Sequence, residues 1–177
     1  MTMPRHSLTH LALLVLLAVI PLLAQGQGAP PAPCASAEHR QFDFWLGEWE
    51  VFGADGKRVG TNTIASAYGG CVLNEQYATP RGYSGASFNI YDAGRGTWHQ
   101  TWVDNTGTLL QLDGGLVDGR MVLAGEAAGA GGSTTRHRIT WTPNPDGSVR
   151  QFWESTNAAG EWTVAFDGRY VRSKGGQ

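Results

Sequence analysis

Phe42-Asp43-Phe44-Trp45-Leu46-Gly47-Glu48-Trp49-Glu50-Val51 holds two patterns that meet at a glycine. Phe42, Phe44, Trp45 and Leu46 are too apolar for a solvated loop, so they predict a short plug segment that packs on something. From Gly47 on, Trp49 and Val51 point one way and Glu48 and Glu50 the other. That period of two marks a half-buried strand. Gly47 lacks a Cβ, so backbone can pass close where plug becomes strand.

Beyond this stretch, strand-like runs alternate with turn residues to the end of the chain. The runs are Gly47–Phe52, Arg58–Ala67, Cys71–Ala78, Ser84–Tyr91, Thr97–Val103, Thr108–Leu116, Arg120–Gly125, Thr134–Thr142, Ser148–Ser155 and Glu161–Arg172. Between them stand Asp55-Gly56, Gly69-Gly70, Asp118-Gly119, Asp146-Gly147 and similar pairs, which tolerate the positive φ of hairpin turns. About ten strands without an amphipathic helix read as an all-β, antiparallel up-and-down meander. A meander this long closes into a barrel rather than leave two open edges. At about ten strands the barrel is wide enough to hold a cavity. The alternative architecture is a two-sheet sandwich.

Composition agrees. Gly (25) and Trp (7) are abundant, as expected for many short strands joined by tight turns. The 13 Lys+Arg against 15 Asp+Glu leave no basic excess and no basic run, which argues against a nucleic-acid partner.

The first residues read as a targeting segment. Arg5 precedes the apolar run Leu11–Ala24, and Ala24-Gln25-Gly26 offers small residues where a signal peptidase cuts. The run is about 14 residues, short of the roughly 20 that span a bilayer, and Pro21 interrupts it. The expected organisation is a signal peptide over 1–26, a Pro/Ala-rich linker over 27–35, a barrel over 36–173 and a tail over 174–177. The product is an exported protein, periplasmic or extracellular, with no transmembrane segment in the mature chain. Cys34 and Cys71 can pair in an oxidising compartment, stapling the segment before the plug to a strand. The alternatives are two free thiols or lipidation of Cys34, against which stand the preceding Pro-Ala-Pro and the distance from the apolar run. No Cys/His spacing of the metal-binding type occurs.

Alternation places side chains. Trp162, Val164, Phe166 and Tyr170 share a face of the last strand, and Leu110, Leu112 and Leu116 share one of another. Trp98, Gln100 and Trp102 lie together, as do Leu73, Glu75 and Tyr77, and Gln151 and Trp153. On Ser84–Tyr91 the pattern does not choose between Phe88/Ile90 and Ser87/Asn89/Tyr91. If the large aromatics face in, Asn62, Glu75, Gln100 and Gln151 travel in with them. A buried amide or carboxylate must be hydrogen-bonded. Either these groups bond each other as a structural network, or they line a wet cavity and orient a ligand between Trp walls. The candidate ligand-binding set is Trp49, Asn62, Glu75, Trp98, Gln100, Trp102, Gln151 and Trp153.

Several blocks resemble one family. Phe42-Asp43-Phe44-Trp45-x-Gly47-Glu48-Trp49 opens it, followed by Gly69-Gly70-Cys71-Val72-Leu73, Ser87-x-Asn89-x-Tyr91-Asp92, Trp98-x-Gln100-x-Trp102-Val103-Asp104, Arg138-Ile139-Thr140-Trp141-Thr142-Pro143 and Phe166-Asp167-Gly168-x-Tyr170. From about Arg40 to Arg172 the chain resembles a secreted bacterial family of lipocalin-like barrels without a settled activity, similar in shape to the calycins. The resemblance implies a barrel and, by analogy of fold alone, a small ligand. Among calycins, fatty-acid-binding proteins hold a carboxylate with Arg and Tyr, for which Arg138 and Tyr170 are the candidates, with Arg138 on the side of its strand opposite Ile139 and Trp141. Nitrobindins hold haem with a His, for which His99 or His137 would have to serve. No cofactor is expected otherwise.

Catalytic signatures are missing: there is no Gly-x-Ser-x-Gly elbow, His-Glu-x-x-His or dinucleotide fingerprint. The expected function is binding of a small, partly apolar ligand. The alternatives are a cofactor-free isomerase or lyase with Glu75 as general base, a haem-binding nitrobindin-like protein, and a protein-interaction barrel.

Overall fold

A computed structural model describes residues 32–129 and 132–175. The expected signal peptide over 1–26 and most of the expected linker over 27–35 lie outside the described residues. Ten strands follow in order: β1 (Gly47–Gly53), β2 (Arg58–Ala67), β3 (Val72–Ala78), β4 (Ser84–Asp92), β5 (Thr97–Asp104), β6 (Leu109–Val117), β7 (Arg120–Ala128), β8 (Thr134–Pro143), β9 (Val149–Thr156) and β10 (Trp162–Arg172). Each pairs antiparallel with its chain neighbours, and β10 closes on β1 through pairs such as Val51 with Tyr170. The chain is a closed up-and-down barrel with neither free edge exposed. Among the described residues no helix is long and apolar enough to cross a membrane.

Turn chemistry sets the register. Asp118 and Gly119 alone connect the paired Val117 and Arg120, with φ of 49° and 75°. Positive φ at both central positions matches the right-handed twist of the flanking strands.

The plug does close one end. Two 3-10 turns, Glu38–Arg40 and Asp43–Trp45, carry Phe42 and Trp45 to full burial. The Phe42 ring stacks on Trp45 with centroids 4.9 Å apart and meets Trp98 and Trp141 edge-on. Trp49 Nε1 donates to the Trp45 carbonyl at 2.9 Å, and Trp98 Nε1 to Gln41 Oε1 at 3.2 Å. Cys34 and Cys71 form a disulfide across 37 residues, tying the start of the plug to the turn that precedes β3. Cross-linking a loop of that size restricts the unfolded chain and typically contributes about 2–4 kcal/mol. Arg40 adds hydrogen bonds to the carbonyls of Cys34 and Gly70. Gly47 is indeed a point of close approach, but a side chain fills it: Arg172 bonds the Leu46 carbonyl there, and a Cβ at Gly47 would overlap its guanidinium.

One alternation reading changes. On β10 the register shifts between Val164 and Phe166, a β-bulge. Val164 therefore pairs with outward Glu154 and is exposed, and Trp162 lies outside beneath the guanidinium groups of Arg136 and Arg138. Only Phe166 and Tyr170 of that set turn inward. Leu116 keeps the face it shares with Leu110 and Leu112, pairing with buried Met121, but at the plug-side end of β6 it is 41% exposed. On β4 the structure settles the open question: Ser87 and Asn89 are buried, while Phe88 and Ile90 face solvent.

Candidate functional site

The barrel interior has two halves, read from the register. Turns β2–β3, β4–β5, β6–β7 and β8–β9 lie at the plug end with Phe42 and Trp45. The five other connections lie at the far end. Toward that far end the interior is not filled, and a cavity of about 190 Å³ remains. Glu75, Gln100, Trp102, Gln151 and Trp153 line it, five of the eight candidates. Trp49 and Trp98 do not; they are at most 1% exposed and packed in the core at the plug end. They face in, as alternation requires, but the plug covers them. Asn62 lies outside the lining as well, and acts through Glu75.

Glu75 sits where β3, β2 and β4 meet and is 3% exposed. Asn62 Nδ2 donates to its Oε1 and the Ser87 hydroxyl to its Oε2, both at 2.6 Å. Glu75 and Ser87 are direct cross-strand partners, as are Asn89 and Gln100. Gln100 Nε2 donates to Asn89 Oδ1 at 2.8 Å, and Asn89 Nδ2 to Ser87 Oγ at 2.9 Å. Every bond in this chain therefore points its hydrogen toward Glu75, each polarising the next. Asn62 Oδ1 is buried with no hydrogen-bond partner.

Burial drives the Glu75 carboxyl up, to about 7, against the opposing hydrogen bonds from Ser87 and Asn62. Burial also raises two hydroxyls that face it, Tyr77 on its own strand and Tyr170 on β10, with the Glu75 charge adding to both. Both remain O–H donors at neutral pH. The Tyr170 hydroxyl donates to Gln151 Oε1, which leaves the Gln151 NH₂ for the cavity.

The walls are aromatic. Trp102 packs against Gly85, where a Cβ would overlap its indole, and Phe166 packs against Gly168 in the same way. Trp102 Nε1 and the Tyr83 hydroxyl both donate to Asp104 Oδ2, at 3.3 and 3.0 Å. Burial opposes the Asp104 charge, but hydrogen bonds from Thr106, Thr108 and Trp102 overcome it and hold the carboxyl well below its usual range. Trp153 Nε1 donates to His137 Nδ1 at 3.1 Å.

Sequence reasoning did not single out Tyr77, Tyr83, Leu110, Ile139, Ala165 or Phe166 as lining, nor Ser87 and Asn89 as the support of Glu75; Tyr170, named there only as a carboxylate partner of Arg138, does line the cavity. Tyr77 shares a face with Glu75 and was findable. Tyr83 sits in a turn, and Ala165 reaches the cavity only through the bulge, so strand alternation carries no signal for either.

The resemblance-based ligand sets do not assemble. Arg138 lies outside, bonded to Glu154 at 2.8 Å, away from Tyr170. His99 is on the outer face, held by Asp113 at 2.8 Å and Thr101 at 2.9 Å. His137 is tied to Trp153, and burial lowers its pKa. Neither histidine lines the cavity. The volume also lies below the roughly 300 Å³ at which drug-sized pockets begin, so haem does not fit. Among the described residues no three His, Cys, Asp or Glu side chains converge as metal ligands. No protein-family model matches the chain, and no curated protein matches it.

Proposed function

We propose that the barrel binds a small, partly apolar molecule in the cavity at its unplugged end, as a periplasmic or extracellular protein of the lipocalin-like kind. The observation that carries this reading is the lining itself: flat aromatic walls with a few convergent polar groups, the composition of a selective pocket. The volume sets the size class. A dry cavity of about 150 Å³ accepts benzene, so about 190 Å³ suits a single substituted ring or a branched chain of similar bulk. The disulfide is compatible with an oxidising compartment.

Saturation-transfer NMR with benzene, phenol and cyclohexanol tests the reading against Ala165→Trp, which fills the cavity from an exposed backbone position. Transfer to wild type that is lost in the variant is the expected result. Equal transfer to both proteins, or none to either, removes the cavity as a binding site.

The raised Glu75 favours one further reading, a cofactor-free isomerase or lyase in which its carboxylate takes a proton from carbon, since a base poised near neutrality suits that task. Deuterium exchange into bound ring ketones that is lost in Glu75→Gln supports it. Ketones that bind without exchanging leave a binding protein.

A further inference from the structure

Glu75 is a buried carboxylate without a counter-charge. None of the ion pairs among the described residues includes it, and no Arg, Lys or His lines its cavity. An unpaired buried charge is costly, and the fold offsets that cost only with neutral donors. Those donors are arranged for the ionised form: a hydroxyl and an amide each give a hydrogen to a separate oxygen, and a further amide chain backs the hydroxyl. A second anion stands beside the cavity, since Asp104 holds two of its wall residues, Tyr83 and Trp102. The walls themselves are aromatic. Trp102, Trp153, Tyr77, Tyr83 and Phe166 surround one space with Glu75 among the lining.

We propose that the ligand is a small organic cation, a protonated or quaternary amine carrying about one ring of carbon, with Glu75 as its counter-ion and the aromatic walls as a cation cage. The proposal rests on the reading of the cavity as a ligand site and names the chemical class that site takes. A cation gains from the negative faces of Trp and Tyr rings, most where water is excluded. An anion would meet Glu75 and Asp104 with no basic partner, which excludes fatty acids and phosphates.

The amine also explains how the site tolerates Glu75 when empty. Unliganded, the carboxyl holds a proton near neutrality; a bound cation displaces it. The titratable groups facing Glu75 are the Tyr77 and Tyr170 hydroxyls, both neutral through this range, so Glu75 alone sets the pH dependence of a cation that does not itself titrate.

Phenyltrimethylammonium and tert-butylbenzene are isosteres that differ in charge, and neither titrates. Their affinities for the full folded chain can be read by NMR titration of the Trp102 and Trp153 indole signals. The cation should bind at least about tenfold tighter at pH 8, and its affinity should fall about tenfold toward pH 6 as Glu75 takes up its proton. The neutral isostere should show no such pH slope, and Glu75→Gln should remove the pH slope and cut the cation preference to what the aromatic walls supply. The pH slope in wild type decides even if that variant does not fold. Binding of tert-butylbenzene equal to or tighter than that of the cation overturns the cation class and leaves the cavity reading standing. Failure of both compounds to bind overturns both. A cation preference and pH slope undiminished in folded Glu75→Gln overturn the role of Glu75.

Discussion

Trp98 and Trp102 stand on one face of one strand, four residues apart, and live in different surroundings. Trp98 is 1% exposed and meets Phe42 edge-on; Trp102 is half-buried and forms a cavity wall. The same contrast runs around the barrel. At the plug end Phe42 and Trp45 enter from outside the sheet and the interior is a stack of rings. At the other end no described residue enters from outside the sheet, and the interior holds Glu75, Gln100 and Gln151 between aromatic walls. Strand alternation decides only which side chains point in. Whether the inside is core or cavity depends on what fills that end of the barrel.

Removing the filler should therefore give the largest effect. Trp45→Ala deletes a fully buried ring stacked on Phe42, and large-to-small changes of this kind cost about 3–5 kcal/mol. Trp102→Ala opens a wall that already borders empty space and should cost about half as much or less. Urea denaturation of both variants measures the difference. Equal losses would mean that the two halves are packed alike.

The barrel itself was legible because its local signals agree: alternation, turn residues and composition all point to ten hairpin-linked strands. The lining was legible only in part. On β4 the usual code is inverted, with Phe88 and Ile90 outside and Ser87 and Asn89 inside, because Glu75 needs donors across the strand. On β10 the bulge at Ala165 breaks the period of two and sends Trp162 and Val164 outward. Trp49 and Trp98 fell in the candidate set because Trp on an inward face reads the same whether a plug covers it or not. What places them is a contact between Phe42 and strands far along the chain, and periodicity does not encode that contact.

The next effect is electrostatic and confined to the open half. Glu75 has a folded pKa raised to about 7 from an ordinary 4.5. Between these values the folded protein holds a proton that the unfolded chain releases. The contribution of Glu75 is thus fully present below about pH 4.5, is lost as pH rises toward about 7, and is constant above. A shift of this size corresponds to roughly 3 kcal/mol. Asp113 and Asp167, held low chiefly by hydrogen bonds from Arg95 and Arg150, work in the opposite direction at lower pH. The comparison is therefore wild type against Glu75→Gln at matched pH, in which their contributions cancel. The stability difference between the two should move against wild type as pH rises from 5 to 8; a difference that stays flat would place the Glu75 titration outside this range.

The smallest effect tests whether the polar groups of the open half are ligand anchors or structure. Gln100 is both placed at the cavity and bonded through Nε2 to Asn89 and Ser87, which leaves its carbonyl oxygen as the group free to meet a ligand. A pure anchor could become Leu at little cost, because a similar-sized apolar side chain replaces a polar one. The geometry gives the opposite expectation. Gln100→Leu leaves Asn89 Oδ1, fully buried, without its donor, and weakens the chain that ends on Glu75. The expected loss is about 1–3 kcal/mol, seen as a lower melting temperature of the ligand-free protein. Two further features identify the cause. First, the loss should grow as pH rises through the Glu75 range, since the donor chain supports the ionised carboxylate more than the protonated one. Second, Gln100→Leu combined with Asn89→Leu removes both partners of the broken bond and should be less destabilised than the sum of the two single changes, by the coupling expected for groups in direct contact. Additive losses, or a melting temperature raised by Gln100→Leu alone, would mean that the open half tolerates an apolar interior as the plugged half does, and that the contrast between them lies in packing rather than in the hydrogen bonds that hold Glu75.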